Sequence, residues 1–474
     1  MNILILGAGR VGASVAESLV SEKNDITVID TDPQRLRVMQ DRLDLRTVVG
    51  NGTLPSVLEQ AGIRDADMLI ACAASDETNL VACKVAYHVF NIATTIARLR
   101  SPELSADSGL MDKSAFAVDR VICPEASVTT AICKLIEYPQ ALQVLEFAQG
   151  YVSLIVVRAR VGGLLAQRRL SEVPTLIPGL DMRVVAIYRQ DAMLPDLQGE
   201  TRIEPGDEVF VLVATEQIRN LLAAMHRAGT RPVRRVMIAG AGNIGLRLAR
   251  RIEHDYEVKL IESERARCDY VATQLSSDAL VLHGSCADEI MLDEANVAEV
   301  DLFAALTGDD ENNIMSCLLA KRLGAKRVLA LINRRAYADL VQGSQIDIAI
   351  SPSQAVLGEL LTHVRRGDVE AVHSLRRGTS EAIEAVVHGD RRSSKLAGRR
   401  IEELKLPAGV QIGAIARGLP DPDTPNAKPA RPPRILMAHH DIVIEPNDHV
   451  IVFVPRKRML REVEKLFQVS AFFV

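Results

Sequence analysis

Residues 3–12 read Ile3-Leu4-Ile5-Leu6-Gly7-Ala8-Gly9-Arg10-Val11-Gly12. Residues 236–245 read Val236-Met237-Ile238-Ala239-Gly240-Ala241-Gly242-Asn243-Ile244-Gly245. Each stretch is an apolar strand running straight into a glycine-rich turn that opens a helix. Gly7 permits the tight turn, Gly9 leaves room for a phosphate to approach the backbone, and Gly12 lets the helix pack close to the sheet. The helix N-terminus adds free N–H groups and partial positive charge. Eighteen residues beyond Gly12 stands Asp30, at the end of the second apolar run Ile26–Ile29. A carboxylate there accepts hydrogen bonds from adenosine ribose hydroxyls. With Asp32 nearby it repels a 2′-phosphate, so NAD is expected over NADP. Glu262 takes the same place after Val258–Ile261 in the second stretch.

The correspondence extends along the chain. Ser75-Asp76-Glu77-Thr78-Asn79 answers Asp309-Asp310-Glu311-Asn312-Asn313, and Ile122-Cys123-Pro124 answers Ile350-Ser351-Pro352. Ile203-Glu204-Pro205-Gly206-Asp207 answers Ile444-Glu445-Pro446-Asn447-Asp448. Order and spacing hold throughout, which marks a tandem duplication. Each copy has two parts. The first alternates Val/Ile/Leu runs with helical patterns: Ile3–Leu6, Ile26–Ile29, Leu45–Val49, Met68–Ala71 and Thr95–Arg98 read as strands, and Val11–Val20 as a crossover helix. Runs without polar alternation indicate a parallel sheet covered on both faces. The second part is smaller, with strands at Val152–Val157, Val184–Ile187 and Val209–Val213 and a closing helix at Glu216–Met225. The fold class is therefore α/β: two tandem Rossmann-like domains (1–123 and 232–348), each followed by a small α/β domain (143–227 and 368–474). Residues 124–142 and 352–367 read as linkers. The six prolines within 420–433 read as an inserted surface loop in the last small domain.

The loops after the third and fourth strands should line the same crevice. They carry Asn51 between two glycines, and Ala73 and Ala74, in the first copy. In the second they carry Ser285, Thr307 and Gly308. Arg98 ends the fifth strand, either as a phosphate-binding cation or as half of an ordinary ion pair. Its counterpart is Leu331, so the second site should hold a phosphorylated ligand less firmly.

Composition narrows the function. Fifty-six basic against 61 acidic residues give a net charge of −5, with no Trp and 3% aromatics. That argues against a nucleic-acid partner, which needs clustered cations and stacking platforms. The basic doublets at 365–366, 376–377, 391–392 and 399–400 read as a solvated face or subunit contact. The apolar runs reach about seven residues, where a membrane helix needs about 20. The first residues lack a signal peptide's basic region and cleavage site, which leads us to expect a cytoplasmic protein. Seven cysteines, odd in number and without a CxxC pair, indicate neither a disulfide framework nor a zinc site. No P-loop and no catalytic constellation is present, so an enzyme is not expected. The alternative is a soluble NAD-dependent oxidoreductase, for which no general acid or base can be nominated.

The duplicated architecture, with Leu135-Ile136-Glu137-Tyr138-Pro139, Ile346-Asp347-Ile348-Ala349-Ile350 and Ser374-Leu375-Arg376-Arg377-Gly378 outside the glycine turns, resembles the RCK (regulator of conductance of potassium) family in its tandem form. The resemblance implies a regulatory subunit of a Trk-type potassium uptake system. Such a subunit binds NAD(H), with ATP or ADP as further ligands, and controls an integral-membrane transporter subunit to which it attaches peripherally. Gly7, Ala8, Gly9, Arg10, Val11, Gly12, Asp30, Asn51, Ala73, Ala74 and Arg98 would form the first nucleotide site. Gly240, Ala241, Gly242, Asn243, Ile244, Gly245, Glu262, Ser285, Thr307 and Gly308 would form the second. No metal site is implied. Two RCK units per chain would make the family's eight-domain ring a homotetramer.

Overall fold

The structure, a computed structural model, describes residues 1–20, 24–104, 109–190, 192–226, 232–341, 345–365, 368–376, 379–420 and 433–469. Of the proline-rich stretch, residues 421–432 lie outside the described residues. Contacts divide the chain into two units. One comprises Met1–Thr130 with Arg235–Leu360, the other Ala131–Arg234 with Leu361–Val474.

In the first unit, β1 (Asn2–Leu6), β2 (Asp25–Asp30), β3 (Arg46–Val49), β4 (Met68–Ala71), β5 (Thr94–Arg98) and β6 (Arg120–Ile122) form a sheet in the order β3-β2-β1-β4-β5-β6. Every pair is parallel. All of β4 and all but the first residue of β1 are buried. Helices cover both faces, which is why neither strand alternates. The order reverses between β1 and β4, and the carboxyl ends of those strands open a crevice there. The five expected strands are present, with ends shifted by a residue in some. The sixth, β6, is too short for its apolar pattern to stand out.

In the second unit the small domain that follows is an antiparallel sheet of β7 (Ala141–Phe147), β8 (Val152–Arg158), β9 (Met182–Arg189), β10 (Ala192–Met193) and β11 (Glu208–Ala214), in the order β10-β9-β11-β8-β7. The first unit's second sheet repeats its first: β12 (Arg235–Ala239), β13 (Glu257–Glu262), β14 (Leu280–His283), β15 (Leu302–Ala305), β16 (Arg327–Leu331) and β17 (Ile348–Ile350), in the order β14-β13-β12-β15-β16-β17. The second unit's other sheet holds β18 (Val369–Leu375), β19 (Ser380–Val386), β20 (Gln411–Arg417), β21 (Arg434–Met437) and β22 (His449–Val454), in the order β18-β19-β22-β20-β21. Strand for strand, that matches the first small sheet.

The two small sheets share one core. Phe147, Leu154 and Phe210 from the first cluster with Ala414, Ile451 and Phe453 from the second. Hence every residue of β19 is buried, its polar ones included. Glu384 is satisfied by the amide of Ala148 at 2.7 Å and Nδ1 of His449 at 2.7 Å. Glu381 pairs with the Arg365 guanidinium at 2.8 Å, and both side chains are almost fully covered. Arg376 reaches Glu208 at 2.7 Å and lies over the Tyr188 ring. The solvated-face expectation is therefore corrected for Arg365, which is buried against Glu381 within the second small domain, and for Arg376, which ties that domain to Glu208 of the first.

The segments expected as linkers are largely helical, and the division between the two units falls within them. Pro124–Glu137 and Pro352–Val364 are helices, and β7 begins at Ala141, ahead of residue 143. Each proline stands at the first helical position. There its fixed φ is favourable and its missing N–H costs nothing.

Candidate functional site

Gly7 adopts φ +104°, a conformation that L side chains rarely take. Its amide donates to the carbonyl of Ile29 at 2.7 Å, which turns the chain back over β2. A Cβ at Gly7 would stand 2.8 Å from the Cys72 carbonyl oxygen, so the turn lies directly against the end of β4. A Cβ at Gly12 would stand 1.9 Å from the carbonyl oxygen of Gly7. The need at Gly12 is thus for the turn to close on itself, more than for the helix to approach the sheet. At Gly9 an added Cβ meets nothing within 4 Å, and that open side is where a phosphate fits. The helix Arg10–Val20 begins here, and its first amides precede the first intrahelical bond. Val11 is buried in the core, so it can contribute to a ligand through its backbone alone.

Asp30 braces the turn from the adjacent strand. Its Oδ2 accepts from the amide of Ala8 at 2.5 Å, and its Oδ1 from that of Asp32 at 2.8 Å. Asp32 in turn caps the next helix by accepting from the amides of Gln34 and Arg35. A carboxylate offers about four acceptor positions, so Asp30 keeps capacity for a ribose hydroxyl. A groove of about 340 Å³ flanks the turn, lined by Ala8, Asp32, Arg35, Val38 and Arg42 among others.

The second copy repeats these contacts. Gly240 has φ +100° and Gly245 the same 1.9 Å constraint, while Gly242 is open. Glu262 accepts from the amides of Ala241 at 2.9 Å, Ser263 at 2.7 Å and Glu264 at 3.0 Å. Burial alone would raise its pKa, but these bonds prevail and hold it below the ordinary 4.5. A depressed folded pKa stabilises above the unfolded value, and that contribution is lost as pH falls through the folded one. Chemical denaturation across the acid range should show this loss, and Glu262→Gln should flatten that part of the profile.

A clamp that sequence reasoning missed fixes the loops after β4 and β15. Asn79 is wholly buried. Its Oδ1 accepts from the amide of Ala73 at 2.8 Å, and its Nδ2 donates to the carbonyl of Arg98 at 2.8 Å. Asn313 does the same with Thr307 at 2.9 Å and Leu331 at 2.9 Å. The signal was present, because both asparagines close the repeated acidic segments. Ala74 and Gly308 stand exposed beside the clamp. Asn51 uses its Oδ1 on the amide and hydroxyl of Thr53, and Ser285 caps the amide of Ala287. Arg10 and Asn243 are exposed and Ile244 half-buried.

In this structure Arg98 makes an ion pair. Its Nη2 lies 2.8 Å from Oε1 of Glu125, with each side chain 12% exposed. Leu331, in its place, is buried. A cation unforeseen from the sequence serves the second turn: Arg267 donates from Nε to the carbonyl of Ala241 at 2.9 Å and lies over Tyr270. Exposed His439 approaches Asp181 at 3.4 Å. Among the described residues, no cluster of His, Cys, Asp or Glu could hold a metal ion, and no helix is long and apolar enough to cross a membrane.

The TrkA-N domain matches residues 3–124 and again 236–352, and the TrkA-C domain matches 154–226. A Trk system potassium uptake protein TrkA from Halomonas elongata is 50% identical over 474 residues, covering 100% of each chain. One from Vibrio alginolyticus is 49% identical over 475 residues, again covering 100% of each. The chain belongs to the TrkA family. Its resemblance to tandem RCK proteins is thereby borne out, together with the fold class. Among solved structures, the GsuK channel gives a TM-score of 0.61 at 17% identity, covering 98% of this chain and 78% of that one. The GsuK RCK domain gives 0.59 at 17%, covering 98% and 94%. At such identity the likeness shows the shared fold. Within the TrkA family frame, the two TrkA-N matches coincide with the two parallel sheets and their glycine turns.

Proposed function

We propose that this chain is the nucleotide-sensing regulatory subunit of a Trk-type potassium uptake system. Each crevice binds an adenine nucleotide, NAD(H) foremost, with ATP and ADP as further ligands. Occupancy gates an integral-membrane potassium-translocating partner, to which the chain attaches from the cytoplasmic side. The observation that carries this reading is the brace between carboxylate and glycine turn, made by Asp30 on Ala8 and by Glu262 on Ala241. It places an acceptor for ribose beside amides for phosphate, twice in one chain. Full-length relatives named as potassium uptake proteins support the regulatory part. A solved channel of the same fold, TM-score 0.59 and 17% identical, is described as bound to NAD, which supports the ligand.

The first site would use the backbone of Gly7 to Gly12, with Asp30, Asn51, Ala73, Ala74 and Arg98. The second would use Gly240 to Gly245, with Glu262, Ser285, Thr307 and Gly308. NAD(H), when bound, supplies a pyrophosphate and two riboses; the chain supplies amides, carboxylates and shape. Control requires each nucleotide to prefer one arrangement of the Rossmann domains, since a ligand that binds two states equally shifts neither. The homotetrameric ring of eight RCK domains would carry that preference to the partner.

Asp30→Ala removes both the brace and a ribose acceptor. Calorimetric titration with NADH should show first-site affinity reduced about a hundredfold or more, the scale of two charged hydrogen bonds. Glu262→Ala should do the same at the second site alone. Retention of full affinity in both variants would refute the assignment. The oxidoreductase alternative instead requires NADH to be consumed with some small substrate.

A further inference from the structure

The ion pair that occupies Arg98 has a second face. Arg98 ends β5, and β5 lies two strands from β1 through β4. At about 4.8 Å per strand, its Cα stands about 10 Å across the crevice mouth from the glycine turn. Its charge is felt at Cys72, the residue whose carbonyl lies under Gly7; burial pushes that thiol up to about 12, and Arg98 opposes the rise. Glu125 uses one edge of the guanidinium. The Nε of Arg98 is buried and has no hydrogen-bond partner among the described residues. A buried donor left unmade is costly, and an arginine fork matches a phosphate better than any other side chain does.

Around Glu125 the cations outnumber it. Arg100 Nε lies 3.6 Å from the same Oε1, and Arg247 of the second Rossmann domain donates to the carbonyl of Arg100 at 3.3 Å. One carboxylate thus holds a place that would otherwise attract an anion.

The duplication supplies an internal control. Strand register sets Arg98 beside Ile122 and Leu331 beside Ile350, so the two positions are equivalent in the fold. Asp76 accepts from the amide of Arg100 as Asp310 does from that of Asn333. Pro124 and Pro352 open equivalent helices, which sets Glu125 against Ser353. Arg98, Arg100 and Glu125 are therefore replaced together by Leu331, Asn333 and Ser353. The carboxylate is present in the copy that has the arginines and absent from the copy that lacks them.

We propose that Glu125 is a built-in competitor for the phosphate of a nucleotide at the first site, holding Arg98 in the empty chain and releasing it on binding. The inference rests on the nucleotide reading above and adds the element that responds. Glu125 stands in the first turn of the Pro124–Glu137 helix, which continues along the chain to β7. Losing Arg98 removes the anchor of that turn. Occupancy of the crevice is thereby converted into a change at the start of the helix. The second copy has no such pair, so its nucleotide acts without this response.

The test uses the full chain, titrated calorimetrically with ADP in the presence of a chelator, so that no divalent ion bridges carboxylate and phosphate. Glu125→Gln should tighten first-site binding about tenfold, the scale of one charged hydrogen bond. Arg98→Gln should weaken it by a similar factor. Adding Glu125→Gln to Arg98→Gln should bring no gain, because the competitor acts only through the arginine. Hydrogen exchange gives a readout that affinity alone does not. Amides in residues 125–130 should exchange faster when ADP binds the wild-type chain, and already faster in ligand-free Glu125→Gln. Glu125→Gln binding that is unchanged or weaker, while Asp30→Ala abolishes it, would overturn the competitor and leave the site standing. A wild-type chain that binds neither ADP nor NADH at the first turn would overturn both.

Discussion

Alanine at Gly12 should abolish nucleotide binding at the first site and leave the second intact. The added Cβ would stand 1.9 Å from the Gly7 carbonyl oxygen and 3.1 Å from its carbonyl carbon. Those atoms are backbone and cannot rotate away. Gly7 cannot retreat either, because its own virtual Cβ position is 2.8 Å from the Cys72 carbonyl and its amide is bonded to Ile29. The turn must therefore open. Opening it separates Ala8 from Asp30 and tilts the helix N-terminus away from the phosphate position. Overpacking of this kind costs about 1–3 kcal/mol or more, and it falls on the binding geometry itself. Gly245→Ala, with the same 1.9 Å contact to Gly240, should silence the second site alone. Calorimetric stoichiometry would read each loss separately.

Glu381→Ala is the substitution expected to destabilise the second unit most. Glu381 lies on β19, where every position is buried. Both of its oxygens accept from Nη2 of Arg365, at 3.0 and 2.8 Å. Glu464 stands farther off, 4.0 Å from Nη1 of the same guanidinium. Breaking a buried pair by removing one partner costs about 3–5 kcal/mol, because the other charge stays in a low-dielectric site. In a unit of this size that lowers the midpoint of thermal unfolding on the order of 10 °C. Replacing both partners, Arg365→Met with Glu381→Leu, should recover much of the loss. Scanning calorimetry of the two variants would show it, and nucleotide affinity at the two turns should change little.

The Rossmann halves were legible because their determinants are local. A glycine forced to positive φ, a second glycine two residues on and an acid at the next strand end are constraints within one βαβ unit. The chain states them twice. Duplication also fixed the small domains, whose sheets match strand for strand. What stayed hidden depends on contacts distant in sequence. Glu125 meets Arg98 across 27 residues, and Glu384 meets the amide of Ala148 across 236. No periodicity announces either. Arg365 looked solvated because arginine doublets usually are, and only its pairing with Glu381, sixteen residues on in the buried β19, shows otherwise. The segments opened by Pro124 and Pro352 were read only as linkers, although a proline at the first helical position favours a helix start. Asn79 and Asn313 were visible as a repeat but not as a clamp, since a buried asparagine that ties a loop to a strand end leaves no pattern in the sequence.

Potassium flux through the reconstituted membrane partner, measured with the full chain while NADH and ADP are titrated, tests the central claim most directly. Flux should change several-fold between the two nucleotides, the effect of a typical coupling of about 1–3 kcal/mol, and the NADH should be recovered unchanged. Flux that stays constant while both crevices fill, or NADH that is steadily oxidised, would contradict it.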